Sequence, residues 1–272
     1  MLSIFAALGS ALFLAVASVL QHRAGSSASD ATLRRVLQHP FWIIGAAAGL
    51  AGFGLHVLAL SSGRLAVVQP LLVSTLLFAL PLSRVLDRRA IRRVDVSAAA
   101  AVVGGLVIFQ TTAGPAAGHS TANLVILAWC VGIVLVAAGV GVAAAARRPD
   151  HRAAWLGFCA GAAYGLLAAL IKSSVGTFTH DGVDALTTWP LYAFLVIVVA
   201  AIVVNQLAFN AGPLASSLPL VTIVDPVVSI AVGAAAFGET TATRPLPLAG
   251  QIAGFALMSV GVVILSRRAE AV

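Results

Sequence analysis

Apolar segments long enough to cross a bilayer recur along the whole chain of 272 residues, and this pattern restricts the fold more than any other feature. Hydrophobic residues make up 60% of the sequence and charged residues 9%, whereas a soluble domain averages about 25% charged residues. One aqueous core cannot bury so much apolar surface, so lipid must be the solvent for most of the chain. The sequence therefore predicts an all-α integral membrane protein whose first partner is the lipid bilayer.

Nine segments of the chain satisfy the requirement for a membrane-spanning helix, which is roughly 20 mostly apolar residues. They cover residues 3–21, 41–60, 65–84, 96–110, 122–146, 153–172, 189–210, 214–237 and 247–266. The segment 174–188 is too polar to span and is expected to form a loop or a surface helix.

Basic residues divide unevenly between the two sides that nine spans define. The loops after the first, third, fifth and seventh spans, with the C-terminal tail, hold thirteen of the sixteen Lys and Arg residues, and the other side holds Arg64, Lys172 and Arg244. Positively charged loops remain in the cytoplasm. We therefore expect a multi-pass protein of the cell membrane with its N-terminus outside and its C-terminus cytoplasmic. This interpretation assigns the basic residues to topology, so no nucleic-acid partner is expected.

The two halves of the chain share a frame of small and turn-forming residues. Residues 58–72, LALSSGRLAVVQPLL, match residues 207–221, LAFNAGPLASSLPLV, at seven positions with a constant offset of 149. Weaker matches relate residues 9–21, GSALFLAVASVLQ, to residues 160–172, AGAAYGLLAALIK, and Gly104 to Gly261. Spans one to four thus correspond to spans six to nine, and five crossings separate equivalent spans, so the halves are inserted in opposite senses.

This correspondence predicts an inverted repeat of four spans, a connector and four spans. Its parts are a first repeat at 1–110, a connector at 111–152 and a second repeat at 153–272. Inverted repeats are a recurring construction of secondary transporters, which place the substrate near the midplane between the halves. We expect a monomer, with a homodimer as the alternative, because one chain already contains both halves.

The sequence resembles the drug/metabolite transporter superfamily over nearly its whole length. The stretch GPLASSLPLVTIVDPVVSIAVGAAAFGE, residues 212–239, is similar to the closing helices of that superfamily, with the pairs Asp225-Pro226 and Gly238-Glu239. The stretch FWIIGAAAGLAGFGLHVLALSSGRLAVVQPLL, residues 41–72, resembles the NIPA-like branch, which includes magnesium transporters. The resemblance implies a permease that moves a small solute by alternating access, coupled to an ion or proton gradient. A magnesium or other divalent-cation transporter is the alternative.

The second span departs from the magnesium transporters that it resembles. Those transporters carry a Gly-Glu dipeptide followed three residues later by Asn, where this chain has Gly52, Phe53 and His56. Because Mg²⁺ prefers carboxylate and water oxygens, the loss of the acid favours an organic solute. No metal ligands are assigned and no cofactor is expected. The sequence contains no nucleotide-binding loop and no catalytic spacing, so it predicts no enzyme, and a non-transporting scaffold or regulatory subunit is the third hypothesis.

Asp225 is the one acid placed deep within a predicted span. A carboxylate at the bilayer centre costs about 2.5–3.5 kcal/mol on insertion scales, so it should face the bundle interior or a wet cavity. There it could accept a proton or contact a cationic group. The alternative is a structural Asp at a helix kink, because Pro226 removes the backbone donor that would otherwise bond to the carbonyl of Thr222.

His56 and Asn205 occupy equivalent places in the two halves. Polar side chains in membrane helices normally face other helices or cavities, so the pair either lines a central site or holds helices together by hydrogen bonds. Gln206 and Thr222 are candidates for the same polar pathway.

Prolines interrupt the third and eighth spans at matching points, at Gln69-Pro70 and at Pro219. Interruptions at corresponding positions in two halves point to a binding site. Alternatively, both prolines lie in a first helical turn, where a missing donor is harmless. Lys172 and Glu239 lie at span ends, so we expect Lys172 to extend its amine to the interface and Glu239 to mark a boundary.

Overall fold

The computed structural model describes residues 2–26, 39–86, 93–113, 118–211, 214–240 and 245–270. Within these ranges the chain forms helices and no strand. The α-helices are α1 (Leu2–Ser26), α2 (Pro40–Ser62), α3 (Leu65–Leu72), α4 (Ser74–Leu86), α5 (Arg93–Ala113), α6 (Leu124–Arg147), α7 (Arg152–Asp181), α8 (Trp189–Asn210), α9 (Leu214–Phe237) and α10 (Pro245–Glu270). Short 3₁₀ helices cover Pro149–His151 and Gly182–Thr187. Because α7 ends only at Asp181, the first part of the polar segment 174–188 belongs to that helix.

Six helical segments in the described part of the chain are long and apolar enough to cross a membrane. They are Leu2–Leu20, Pro40–Ser62, Leu124–Arg147, Pro149–His180, Leu220–Phe237 and Pro245–Ile264. Shorter apolar helical segments cover Leu65–Ala79, Val96–Thr112 and Trp189–Asn205. The chain is therefore an all-helical membrane protein. Helices occupy all nine predicted positions, but three fall short of a full crossing by this measure, so nine spans remain a prediction.

Polar groups at the helix ends bond within the protein, as a surrounding of lipid requires. The α2 helix begins at Pro40, and Nδ1 of His39 accepts a hydrogen bond from the backbone N–H of Phe41 at 3.2 Å. The side chain of Asn123 accepts from the first turn of α6. After α9, Gly238 has a φ of 61°, a conformation that favours glycine, and the next residue donates its N–H to the carbonyl of Gly233.

The third predicted span is broken in two at Val73. Pro70 lies in the interior of α3, so it has no N–H to donate to the carbonyl of Ala66. The helix ends two residues later, and the N–H of Val73 donates to the carbonyl of Pro70 at 3.2 Å before α4 begins. The helix is thus interrupted after Pro70, which lies beyond the first turn of α3, and the link between this interruption and a binding site stays a prediction.

Proline has a different effect in α9, which continues as one helix through Pro219 and the buried Pro226. The side chain of Pro219 lies outside the described residues. The eighth span therefore lacks the predicted interruption, since α9 is continuous from Leu214 to Phe237.

Glycines at every fourth position bring α7 against the backbone of α9. They are Gly157, Gly161 and Gly165, and their neighbours along α9 are Ser217, Val221 and Asp225 respectively. A methyl group on Gly165 would lie 2.5 Å from the carbonyl oxygen of Asp225. Residue numbers rise together along both helices, so α7 and α9 run parallel. Small residues at this spacing permit the closest helix packing in membranes.

Several glycines lie at the contact between α5 and α10, and two of them, Gly105 and Gly261, each pack against two residues of the other helix. The two sets are Gly105 with Gly254 and Met258, and Gly261 with Ala98 and Val102. Residue numbers rise in opposite directions, so the helices are antiparallel. Adding 156 to the numbers of Ala98, Val102 and Gly105 gives Gly254, Met258 and Gly261. When the two helices are exchanged, the contacts of Gly105 therefore become the contacts of Gly261.

This exchange pairs Gly261 with a different glycine from the one that the sequence match gives. The sequence matched Gly104 with Gly261, but the contacts make Gly105 the counterpart of Gly261, and Gly104 lies instead near Leu257. Adjacent glycines are indistinguishable in an apolar sequence pattern, and only the packing reveals which one faces the other helix.

Candidate functional site

Asp225 lies near the middle of α9, where the helix packs most closely against α7. Its Oδ1 atom is buried and has no hydrogen-bond partner among the residues that the structure describes. A buried polar atom without a partner is costly, and natural proteins contain few of them. Tyr164, which precedes Gly165 on α7, lies close enough to Asp225 for the two groups to interact electrostatically.

His56 and Gln69 come together between α2 and α3. Nε2 of Gln69 lies 3.4 Å from Nε2 of His56, and the side chain of Gln69 is buried. Nearby, Nε2 of Gln110 on α5 donates to the carbonyl of Val67 on α3 at 2.7 Å. Polar side chains therefore hold α3 to two neighbouring helices beside its proline.

Asn205 is the second candidate whose polar atom is left unpaired. Its Oδ1 atom is buried and without a partner in the described part of the chain. None of the described hydrogen bonds joins it to His56, its counterpart in the first half, which instead contacts Gln69. Thr222 on α9 is half-buried, and the side chain of Gln206 lies outside the described residues.

A buried ion pair lies beyond the candidates that the sequence predicted. Nζ of Lys172 on α7 bonds to Oε1 of Glu239, which follows α9 by two residues. Lys172 is 6% exposed and Glu239 is 4% exposed. The expectations that Lys172 reaches the interface and that Glu239 only marks a boundary are therefore wrong, because each side chain is turned inward to neutralise the other.

The same carboxylate also bonds to the first half of the chain. Oε1 of Glu239 accepts from the backbone N–H of Leu65 at 3.0 Å, and Oε2 accepts from that of Ala66 at 3.3 Å. These are N–H groups of the first turn of α3, which have no partner within their own helix. Glu239 thus accepts hydrogen bonds from two otherwise unpaired N–H groups of α3. With the ammonium of Lys172, three donors reach its carboxylate.

One sequence signal could have revealed this pair. Lys172 is the one lysine of a chain that uses arginine at its fifteen other basic positions. An ammonium has three N–H donors and a guanidinium has five, so a single carboxylate leaves fewer donors of a lysine without an acceptor. The exception to the arginine pattern coincides with the buried charge.

No group of three or more His, Cys, Asp and Glu residues is close enough to hold a metal ion among the residues that the structure describes. An open groove on the surface is lined by Leu124, Val125, Ala128, Trp129 and Trp189. Four of the five lining residues belong to α6, so this groove lies apart from Asp225.

The chain is 32% identical over 248 residues to an uncharacterized protein of Corynebacterium glutamicum. The alignment covers 88% of this chain and 86% of that protein. The chain belongs to the family of this corynebacterial protein. No protein-family model and no solved structure matches the chain. Since the name of the relative states no activity, the function has to be argued from the site.

Proposed function

We propose that the chain is a secondary transporter of the drug/metabolite type, which moves a small solute across the cell membrane by alternating access. The observation that carries this proposal is Asp225, whose Oδ1 atom is buried in mid-helix without a partner in the described chain. Ionisable residues at this depth mark substrate or ion pathways, because the cost of burying them is retained only for function.

The environment of Asp225 suits a ligand that binds to the carboxylate and leaves again during transport. Glycine at position 165 brings two backbones together beside it, and Tyr164 places an aromatic ring in the same region. A proton or an organic cation would supply the positive charge or the donor that Oδ1 does not receive from the protein. Asn205 on α8 is a second buried acceptor without a partner in the described part of the chain.

The contact between α5 and α10 supports an inverted repeat. In the predicted repeat, α5 is the fourth span of the first half and α10 is the fourth span of the second half. The two helices are antiparallel, and the contacts of Gly105 match those of Gly261 when the helices are exchanged. Two halves inserted with the same sense would place their fourth helices parallel. Nine spans, the N-terminus outside and the C-terminus in the cytoplasm belong to the same proposal, since opposite insertion gives two similar conformations that open to opposite sides.

The second span favours an organic solute over magnesium. Phe53, which stands where the magnesium transporters carry an acid, stacks on Phe194 of α8 with ring centroids 6.3 Å apart. Gly52 is committed to helix packing, since Oγ of Ser10 donates to its carbonyl at 2.8 Å and Leu14 packs against its Cα. Phe53 thus forms an apolar contact between helices where the magnesium transporters carry an acid, and the carbonyl of Gly52 already accepts from Ser10.

A flux survey with the purified chain in proteoliposomes tests the proposal. Small organic amines, amino acids and Mg²⁺ would be offered with and without a pH gradient. We expect uptake of an organic solute that the gradient accelerates and that Mg²⁺ does not replace. Uptake of Mg²⁺ alone would identify a divalent-cation transporter. The absence of any flux, with a stable partner recovered in mild detergent, would identify a scaffold or regulatory subunit.

A further inference from the structure

At one end of the helix bundle, Glu239 connects the two halves of the chain. Its carboxylate accepts hydrogen bonds from the backbone N–H groups of Leu65 and Ala66, at 3.0 Å and 3.3 Å, and pairs with Nζ of Lys172. The ammonium of Lys172 also lies 4.9 Å from the centre of the Phe237 ring. Charge-assisted bonds to two backbone donors give this contact both strength and direction.

Two further contacts hold the start of α3 to the end of α9. Leu65 packs against Gly233, where a methyl group added to the glycine would lie 3.2 Å from Cβ of Leu65. Nη1 of Arg64 donates to the carbonyl of Thr240 at 3.0 Å. Leu65 is fully buried, so the two halves meet here without an intervening gap.

We infer that Lys172 and Glu239 form a gate that closes this end of the permease. The gate opens when the N-terminus of α3 separates from Glu239. The inference rests on the proposed function, because alternating access requires the two halves to part at each end in turn.

The arrangement of charges makes this contact reversible. Lys172 on α7 and Glu239, just after α9, both belong to the second half, whereas the two N–H donors belong to the first half. Separation of the halves therefore breaks these two hydrogen bonds and the bond from Arg64 to Thr240, and it leaves the ion pair intact. Neither charge becomes unpaired, and the released N–H groups of α3 can bond to water.

The sequence places this ionic contact at one end of the molecule. The residue aligned with Lys172 in the first half is Gln21, which carries no charge. The gate therefore distinguishes the end predicted to be external from the end predicted to be cytoplasmic.

A cysteine at position 65 would report the opening of the gate. The substitutions Leu65→Cys, Cys130→Ala and Cys159→Ala leave one thiol, which lies at the contact between α3 and α9. Its labelling by a charged, membrane-impermeant methanethiosulfonate would be measured in proteoliposomes, with and without Glu239→Gln. We expect labelling to become about tenfold faster, since a hydrogen bond to a charged group is worth roughly that factor or more.

A second reporter separates gating from loss of structure. Cys159 is 1% exposed between α6 and α7, where its Sγ donates to the carbonyl of Ala138. In a Cys130→Ala background it should label at the same slow rate with or without Glu239→Gln. The charge-free pair Lys172→Met and Glu239→Gln, which leaves no unpaired charge, should also accelerate labelling of position 65, because a neutral amide holds the N–H groups less strongly.

Unchanged labelling at position 65 in both variants would overturn the gate, and so would equal acceleration at positions 65 and 159. The assay needs no substrate. Its failure would therefore reject the gate alone, whereas an absence of solute flux would reject the proposed function.

Discussion

Two carboxylates belong to the same stretch of chain, a buried one at Glu239 and a half-buried one at Asp225, and their surroundings differ. Glu239 has three donors, namely the ammonium of Lys172 and the backbone N–H groups of Leu65 and Ala66. Asp225, near the middle of the preceding helix, has an Oδ1 atom that no donor reaches among the described residues. A carboxylate with a complete set of partners holds the structure together, whereas one without a partner is available to a ligand.

The comparison predicts that Glu239→Gln causes the largest loss of stability. Removing one partner of a buried ion pair leaves the other charge uncompensated and costs about 3–5 kcal/mol. The free energy of unfolding in detergent micelles can be followed by the fluorescence of the four tryptophans. Combining Glu239→Gln with Lys172→Met should recover most of the loss, and a double variant as unstable as the single one would show that the ion pair is not its cause.

Gly165→Ala should produce the next largest effect, because the added methyl group would overlap the carbonyl of Asp225. Overpacking of this kind costs about 1–3 kcal/mol. Gly132→Ala on α6 is the matched control, since nothing lies within 4 Å of the position its methyl group would occupy. Equal unfolding free energies for the two variants would contradict the close approach of α7 and α9.

His56→Ala should lower stability only slightly. It removes the 3.4 Å contact with Gln69, and polar contacts between membrane helices contribute about 0.6 kcal/mol on average. Gln69→Ala should have a similar effect, and the double variant should be less destabilised than the sum of the two. Full additivity in this cycle would mean that the two side chains do not interact.

Asp225→Asn should have the smallest effect on stability, below that of His56→Ala, because no bond to Oδ1 is lost. The measurement is the same unfolding assay, run beside Glu239→Gln. A loss as large as that of Glu239→Gln would show that Asp225 has a structural partner, and the contrast between the two carboxylates would disappear.

The sequence predicts the helices well because the length and polarity of an apolar segment are local properties. The predicted spans 189–210 and 214–237 coincide with Trp189–Asn210 and Leu214–Phe237, and the break after Pro70 follows from its missing donor. The candidate site was predicted less completely. Lys172 and Glu239 are 67 residues apart, and only tertiary packing brings them together and away from lipid.

The lack of a partner at Asp225 also depends on tertiary packing that the sequence does not reveal. Its depth in an apolar segment predicts that it is buried, but whether a donor reaches it depends on the neighbouring helices. The glycines at positions 157, 161 and 165 bring α7 so close that their α9 neighbours are mostly backbone, and glycine carries no side-chain donor. Whether Oδ1 of Asp225 has a donor therefore depends on packing that the sequence pattern of one helix does not reveal.

Solute flux through Asp225→Asn tests the central claim most directly. Uptake driven by a pH gradient would be compared in proteoliposomes containing equal amounts of folded parent protein and variant. The account predicts that uptake falls to the level of protein-free vesicles while the unfolding transition is unchanged. Uptake at the parent rate would contradict it, because the unpaired carboxylate would then have no part in transport.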